Sequence, residues 1–233
     1  MIGINTRKPV PPQYLDKLWL GWNIGLADLP VLGRSRPATQ LMYRMPWHRY
    51  SSKVVPPSLH QRGIDVLYRV SRATGSIDTF RFQRIEMREQ LELLRTGHPT
   101  YVYHMDGKVP KKIYDQEMSK AVIIPSPFGD GEMCYRDFEA IRAGGVMLKA
   151  DMGHLDMRPN FYAPGVTYVP HAWDFSDFPE KVLHILEHRA DYEGLARSAQ
   201  ETYLRALSPQ GGEAFALHVR EIAQEALARR QVH

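Results

Sequence analysis

The sequence predicts an α/β domain with an open parallel sheet and helices on both faces. From about residue 60 to residue 188, short apolar runs alternate with longer stretches that have helical periodicity. Strands separated by helices of this length are typical of parallel β-α-β units. The composition agrees, because 43% hydrophobic, 10% aromatic and 24% charged residues are close to globular averages and exclude wholesale disorder.

The elements follow one another in a regular order. The predicted strands cover residues 64–70, 100–104, 121–125, 146–150 and 166–169. The predicted helices cover residues 78–95, 110–119, 132–143 and 177–188. From residue 191 onward we expect two further helices, one ending near Leu207 and a last one near residues 213–230. The last helix is amphipathic and basic, and its mixed charges favour packing on its own domain over binding to a membrane surface.

The first 60 residues differ in character from the rest. Prolines cluster there, which leaves room for one amphipathic helix over Pro12–Asp28. The segment is too short for a complete second domain, which would need on the order of 100 residues. We therefore expect an abbreviated N-terminal segment and linker over residues 1–60, followed by one Rossmann-like domain over residues 61–233.

Charge and cysteine content narrow the class of protein. The chain has 30 Lys and Arg against 26 Asp and Glu, and the formal charge of +4 favours an anionic ligand but is weak evidence for nucleic acid. A single cysteine, Cys134, excludes an intramolecular disulfide. Because neither a secretory signal nor an apolar run of about 18 residues occurs, we expect a cytoplasmic protein without a transmembrane segment.

The residues that follow the third predicted strand carry the clearest chemical signal. Open parallel sheets bind ligands at the carboxyl ends of their strands, where the strand order reverses. In the turn PSPFGDGEMC, Gly129 and Gly131 would permit positive φ angles and a close approach of the backbone. The helix after this turn would present unpaired N–H groups and the positive end of its dipole, an arrangement that suits a phosphate.

Within that predicted helix, Arg136 would lie between Glu132 and Glu139 on one face. The functional interpretation is that Arg136 meets a diphosphate while Glu139 binds ribose hydroxyls, as in a nucleotide site. The alternative is a solvated helix face, on which Glu132 and Arg136 form an ordinary i, i+4 ion pair. Spacing alone leaves both interpretations open.

Two further ligand sites are conceivable around the same sheet edge. Asp130 and Glu132 could bind a divalent cation, although Arg136 would already neutralise the charge of a diphosphate. Arg69 and Arg72 follow the first strand, where a second phosphate contact is expected, but they could equally be exposed loop cations. We therefore expect no metal to be required.

A catalytic base is not marked by any spacing in the sequence. His154 and His171 both follow predicted strands, and they are the two histidines that we would test for this role. The chain contains no G-x-S-x-G, H-E-x-x-H or G-K-[ST] motif, which argues against serine hydrolase, zinc protease and P-loop activities.

A resemblance to a known family favours the nucleotide site over the solvated helix face. The run PSPFGDGEMCYRDFEAIRAGGVMLKADMGHL resembles the donor-sugar segment of the glycosyltransferase group 1 superfamily, especially its spore-protein-like and exostosin-like branches. The matching positions are Gly131, Tyr135, Arg136, Glu139, Ala140, Ala143 and Gly144. An arginine-rich helix with Arg81, Arg84 and Arg88 agrees with the same family, and the resemblance covers about residues 60–230.

The resemblance implies a glycosyltransferase of the GT-B fold, which moves a sugar from a nucleotide-diphosphate donor to an acceptor hydroxyl. The residues expected to bind the nucleotide sugar are Gly129, Gly131, Glu132, Tyr135, Arg136 and Glu139, with no further cofactor. That family has two facing domains, whereas only about 60 residues precede the donor-type domain here, so a partner subunit could supply the acceptor side. The alternatives are a non-catalytic nucleotide-sugar-binding module and a protein-interaction domain.

Overall fold

Five parallel strands form the central sheet of a computed structural model that describes residues 55–70, 78–129, 131–155 and 157–230. The strands are β1 (Ile64–Leu67), β2 (Tyr103–His104), β3 (Ala121–Pro125), β4 (Val146–Ala150) and β5 (Val169–His171), in the spatial order β2-β1-β3-β4-β5. Every neighbouring pair is parallel. The predicted helix over residues 12–28 lies outside the described residues.

Six α-helices surround this sheet in the described part of the chain. They are α1 (Asp78–Gly97), α2 (Lys111–Lys120), α3 (Tyr135–Arg142), α4 (Phe178–Glu187), α5 (Glu193–Ala206) and α6 (Pro209–Arg230). Two short 3-10 helices, Leu59–Gln61 and Arg189–Tyr192, complete the elements. The predicted fold class, an open parallel sheet of the Rossmann-like type with helices on both faces, is confirmed.

The buried apolar residues of the sheet and of its helices form two separate clusters. One cluster contains Phe138 of α3 and Tyr203 of α5, and the other contains Leu91 of α1 and Ile185 of α4. The residues of β3 and β4 are all buried. Both faces of the central strands are covered by helices, which is why these strands appear in the sequence as continuous apolar runs.

Several element boundaries differ from the sequence prediction, among them the end of β1 at Leu67 rather than residue 70 and the start of β2 at Tyr103 rather than residue 100. Helix α3 begins at Tyr135 rather than at residue 132, because the Asp137 carboxylate accepts the N–H of Cys134 at 3.0 Å and caps the helix there. Strand β5 begins at Val169 rather than at residue 166, since Gly165 adopts a positive φ of 70° in a turn. Helix α6 begins earlier than predicted, at Pro209.

The last helix is less buried than its amphipathic pattern predicts. Helix α6 packs against α5, but Phe215, Leu217 and Leu227 are exposed. Among the described helices, none is both long and apolar enough to cross a membrane.

Candidate functional site

The strand order predicts a crevice at the carboxyl edge of the sheet. From β1 the chain runs outward to β2, and it then returns to β3 on the other side of β1. The strand order therefore reverses between β1 and β3, which is where ligands bind in sheets of this type. Tyr68 follows β1 at this point, and residues 126–128 follow β3.

Gly129 and Gly131 form a tight turn at the mouth of this crevice, here called the glycine bend. The Gly129 N–H donates to the Gly131 carbonyl oxygen at 2.9 Å. Neither residue has a positive φ, so the bend does not use the left-handed backbone that glycine permits. A Cβ at position 129 would instead lie 2.8 Å from the Cβ of Cys134, whereas a Cβ at position 131 would meet nothing closer than 3.7 Å. Glycine is thus required at 129 by close packing.

A buried ion pair holds the start of α3 and the residues that precede the glycine bend in place. Asp137 and Lys149 are almost completely buried, and Lys149 Nζ donates to Asp137 Oδ1 at 3.2 Å. The same carboxylate accepts hydrogen bonds from the Ser126 hydroxyl, the Cys134 N–H and, at 2.5 Å, the Tyr162 hydroxyl. Burial raises the pKa of Tyr162 well above its ordinary value, so it remains a donor. With all these donors satisfied, the network fixes the geometry of the helix start.

Arg136 occupies the position that the sequence predicts for a diphosphate contact. Its side chain is partly buried and interacts with the nearby Tyr114 hydroxyl. Burial acts to lower the pKa of Arg136, but interactions with Tyr114 and Cys134 raise it above its ordinary value, so the guanidinium stays charged. No carboxylate in the described ranges forms an ion pair with it. A partly desolvated cation of this kind favours an anionic ligand.

Two more arginines join Arg136 around the hydroxyl of Tyr68. Burial raises the pKa of Tyr68, and the positive charges of Arg136, Arg88 and Arg84 act in the opposite direction. Arg84 Nε donates to the carbonyl oxygen of Phe128 at 2.8 Å, which ties α1 to the residue before the glycine bend. We call Arg84, Arg88 and Arg136 the arginine cluster. Arg88 lies 3.5 Å from Glu92 and donates to the Met105 carbonyl oxygen at 3.1 Å, so Arg84 and Arg136 are the two members without a carboxylate partner among the described residues. Guanidinium groups of this kind suit a ligand with several anionic oxygens.

Glu139 lies beside this cluster, but its carboxylate already has partners. Lys111 Nζ donates to Glu139 Oε1 at 2.7 Å, and the Tyr114 hydroxyl donates to Oε2 at 3.0 Å. Tyr114 therefore connects Glu139 with Arg136. Sequence reasoning missed Lys111, because its contact with Glu139 spans 28 positions of the chain and no local pattern marks it.

The predicted ion pair between Glu132 and Arg136 is absent from the described structure, because Glu132 precedes α3 instead of belonging to it. Glu132 Oε2 lies 3.0 Å from His154 Nε2 instead. The solvated-face alternative for these two residues is therefore wrong. Tyr135, also a predicted site residue, is exposed at the first position of α3.

The second expected phosphate contact is already engaged within the domain. Arg69 donates to both carboxylate oxygens of Glu117, at 2.5 and 2.6 Å, and this pairing lowers the pKa of Glu117. Arg72 and Asp130 lie outside the described residues. Within the part of the chain that is described, no three His, Cys, Asp or Glu side chains converge as they would around a metal ion.

The two histidine candidates have different environments. His171 is buried, its Nδ1 lies 2.8 Å from the carbonyl oxygen of Ala172, and its ring packs against Phe175. Burial lowers the pKa of His171 to about 4, so it is a neutral core residue that an acceptor hydroxyl does not reach. His154 is exposed at the carboxyl end of β4 and remains accessible.

Comparison with known proteins supports the fold. No family model and no curated protein sequence matches the chain. Among solved structures, it is similar to TarM, with a TM-score of 0.51 and 14% identity over 73% of this chain and 37% of TarM. A mutant of S. aureus TarM in complex with fondaparinux, alpha-GlcNAc-glycerol and UDP gives a TM-score of 0.50 with the same identity and coverage. The chain thus spans little more than a third of the length of these glycosyltransferases, whose fold it shares in that part.

Proposed function

We propose that this chain binds a nucleotide-diphosphate sugar and serves as the donor domain of a glycosyltransferase. The main support is Arg136, a partly buried cation at the start of the helix that follows β3, which has no described carboxylate partner. Arg84, which donates to the carbonyl oxygen of Phe128 at 2.8 Å, adds a second cation near Tyr68. The structural neighbours are glycosyltransferases, and one of them was solved with UDP, which makes uridine nucleotides the first ligands to test.

In this proposal, the chemistry depends on the leaving group. As an acceptor hydroxyl attacks the anomeric carbon, the bond to the diphosphate breaks and negative charge accumulates on the diphosphate oxygens. Arg136 and the backbone amide of Gly131 would stabilise that charge. Removal of one such donor typically costs about 100- to 1000-fold in rate. The buried Asp137–Lys149 pair would keep these donors in place while the charge develops.

The groups that bind the acceptor would lie outside this donor domain. We assign the donor domain to residues 61–233, and residues 1–60 to an N-terminal segment and linker. A further domain or a partner subunit would then face the carboxyl edge of the sheet and bring the acceptor hydroxyl. When donor and acceptor fill the space between the two sides, water would be excluded from the reacting centre.

Nucleotide binding tests the proposal directly. We expect UDP, GDP or ADP to raise the unfolding temperature of the wild-type protein, because ligand at 100 times its Kd stabilises a protein by about 2.7 kcal/mol. Arg136→Ala should lower the affinity of that nucleotide by about 10- to 100-fold in calorimetry, since a charge-assisted hydrogen bond is lost. The matched control is Arg220→Ala, which removes an exposed arginine of α6.

The outcomes separate the enzyme from its alternatives. Equal nucleotide affinities of wild type and Arg136→Ala would contradict the proposed site. Binding of a sugar nucleotide without transfer or donor hydrolysis would indicate a non-catalytic binding module. A protein that binds none of the nucleotides or their sugars would fit an interaction domain.

A further inference from the structure

Two histidines lie one turn apart at the carboxyl end of α4. His184 and His188 are both exposed, and their imidazole rings stack at an angle of 24° with 4.3 Å between the ring centroids. Side chains at positions i and i+4 of a helix lie on the same face, one above the other. Two imidazoles in this relation can bind one metal ion. We call His184 and His188 the histidine pair.

The hydrogen bonds of the pair engage one nitrogen of each ring and leave the other available. His188 Nδ1 lies 3.0 Å from the carbonyl oxygen of His184, which can only accept, so Nδ1 carries the ring proton. His184 Nδ1 lies 2.9 Å from the Tyr192 hydroxyl oxygen, which can accept in the same way. Neither Nε2 atom has a hydrogen-bond partner among the described residues. Histidines that bind metals usually donate their second ring N–H to an oxygen in this manner.

The position of the pair on the helix favours a cation. The pair occupies the last turn of α4, where the carbonyl end of the helix dipole carries partial negative charge. Glu187 precedes His188 in the chain, Asp191 follows it, and both acidic residues are exposed. The one arginine of this segment, Arg189, is paired with Asp65 of β1. A divalent ion at the pair would therefore be attracted by the helix end and by the charges around it.

The donor set defines the class of ion. Imidazole nitrogens suit Zn²⁺, Cu²⁺ and Ni²⁺, whereas Mg²⁺ and Ca²⁺ prefer oxygen ligands. The order His184-Ile-Leu-Glu187-His188 has the H-x-x-E-H spacing of one class of zinc enzymes. Since no three His, Cys, Asp or Glu side chains converge in the described part of the chain, the ion would take two protein ligands here and complete its coordination with water. The pair thus fits a binding site rather than a hydrolytic centre.

Binding requires only small movements of the two rings. Both Nε2 atoms must turn towards one ion at about 2.0–2.1 Å, the usual distance from zinc to a histidine nitrogen. The terminal torsion of a histidine side chain is broad, and both rings are exposed, so they can leave the stacked arrangement without disturbing the core.

We propose that the histidine pair binds one transition-metal ion of the Zn²⁺ class through Nε2 of His184 and Nε2 of His188. The ion links the last turn of α4 and, through the Tyr192 hydroxyl, the 3-10 helix Arg189–Tyr192. That 3-10 helix contacts the 3-10 helix Leu59–Gln61, which precedes β1, so the site lies towards the amino ends of the strands. It is therefore separate from the glycine bend and independent of the proposed function.

Zinc binding by the full chain without a histidine tag tests the site. Titration with zinc chloride in a calorimeter should show binding to the wild type, and His184→Ala and His188→Ala should each weaken it by about 100-fold, because one imidazole remains. Tyr192→Phe should weaken it by about tenfold, since His184 loses the partner of its Nδ1. The matched control is His98→Ala, which removes another exposed histidine and should keep the wild-type affinity.

A second measurement identifies the ligands directly. Electron paramagnetic resonance of bound Cu²⁺ should show coupling to two imidazole nitrogens in the wild type and to one in His188→Ala. The unfolding temperature of each variant without metal confirms that it is folded, and zinc should raise this temperature for the wild type but not for the two alanine variants, because the ion binds the folded helix.

Three results would overturn the site. They are a wild type that binds none of Zn²⁺, Ni²⁺ and Cu²⁺ at millimolar concentration, equal zinc affinities of the wild type, His184→Ala and His188→Ala, and an equally large loss in His98→Ala. Arg136→Ala should bind zinc as the wild type does, so a failure of the proposed nucleotide site leaves this result unchanged.

Discussion

At the scale of single residues, Tyr114 links the two side chains that the sequence predicts for nucleotide binding. Its hydroxyl donates to Glu139 Oε2 at 3.0 Å and interacts with the nearby Arg136 guanidinium. Burial raises the pKa of Tyr114, so the hydroxyl is neutral and keeps its proton. It therefore orients a carboxylate and a guanidinium that do not form an ion pair with each other.

This bridge predicts a moderate loss of binding in Tyr114→Phe. The variant keeps the ring but loses the hydroxyl that positions Arg136 and Glu139, so we expect the nucleotide affinity measured by calorimetry to fall about three- to tenfold. Tyr192→Phe is the control, because it removes a hydroxyl that lies 2.9 Å from His184 Nδ1 on a different part of the surface. An affinity equal to that of the wild type would show that Tyr114 does not position the ligand-binding groups.

At the scale of elements, the glycine bend and α3 form one rigid unit. The Asp137 carboxylate caps α3, and the ion pair with Lys149 anchors the helix to β4. The Asp137 cap uses the N–H of Cys134, so fewer amides of the helix start are available for an anion than the sequence pattern suggests. The arginine side chains must supply the remaining contacts.

The two glycines of the bend should respond differently to alanine. Gly129→Ala places a methyl group 2.8 Å from the Cβ of Cys134, so the bend must open, and the free energy of unfolding should fall by about 1–3 kcal/mol. Gly131→Ala has open space and an ordinary φ, so its stability in urea should match the wild type.

For nucleotide binding, the informative variant is Gly131→Ala. Its methyl group projects from the bend that a phosphate must approach closely, and we expect weaker nucleotide binding at unchanged stability. If calorimetry shows wild-type affinity for Gly131→Ala, the phosphate does not lie against the bend.

At the scale of the whole molecule, different groups of side chains lie at the amino and the carboxyl ends of the strands, here called the two edges of the sheet. The amino edge is held by Arg62, which donates to the carbonyl oxygens of Ala121, Ala143 and Gly144 at 2.7 to 3.1 Å. Burial lowers the pKa of Arg62 to about 10, which still leaves it charged at neutral pH. The carboxyl edge carries the arginine cluster, to which we assign ligand binding, together with the buried Asp137–Lys149 pair that anchors α3.

The stability of the molecule should fall in mild acid because of His171. Burial lowers its pKa from 6.5 to about 4 in the folded state, so between these values the unfolded chain binds more protons. The free energy of unfolding should therefore decrease as the pH falls from about 6.5 to about 4, by up to about 3 kcal/mol. Urea denaturation at several pH values measures this decrease.

The matching variant is His171→Leu, which should show a flatter profile in that pH range. His188→Ala, at an exposed histidine, should keep the steep wild-type profile. Glu117 and Asp177 overlap only with the acidic end of this range, because their lowered pKa values make protonation destabilising as the pH falls below about 4.5. The slopes are therefore compared above about pH 5. Equal slopes for wild type and His171→Leu would contradict a buried neutral imidazole.

Local patterns were sufficient for the elements and for part of the site. The strands β3 and β4 were predicted to the residue, because buried parallel strands are continuous apolar runs that end at turn residues. The position of Arg136 at the reversal of strand order also followed from the order of strands and helices. These features depend on neighbours within a few positions of the chain.

The pairing of side chains was decided only by the tertiary structure. Glu139 binds Lys111 and Tyr114, Arg69 binds Glu117, and Glu132 binds His154. These contacts join residues that are 22 to 48 positions apart, and helix periodicity carries no information about them. The sequence by itself determined the layers, the sheet edge and the cationic character of the crevice. Only packing of distant segments decided which charges are neutralised and which remain available to a ligand.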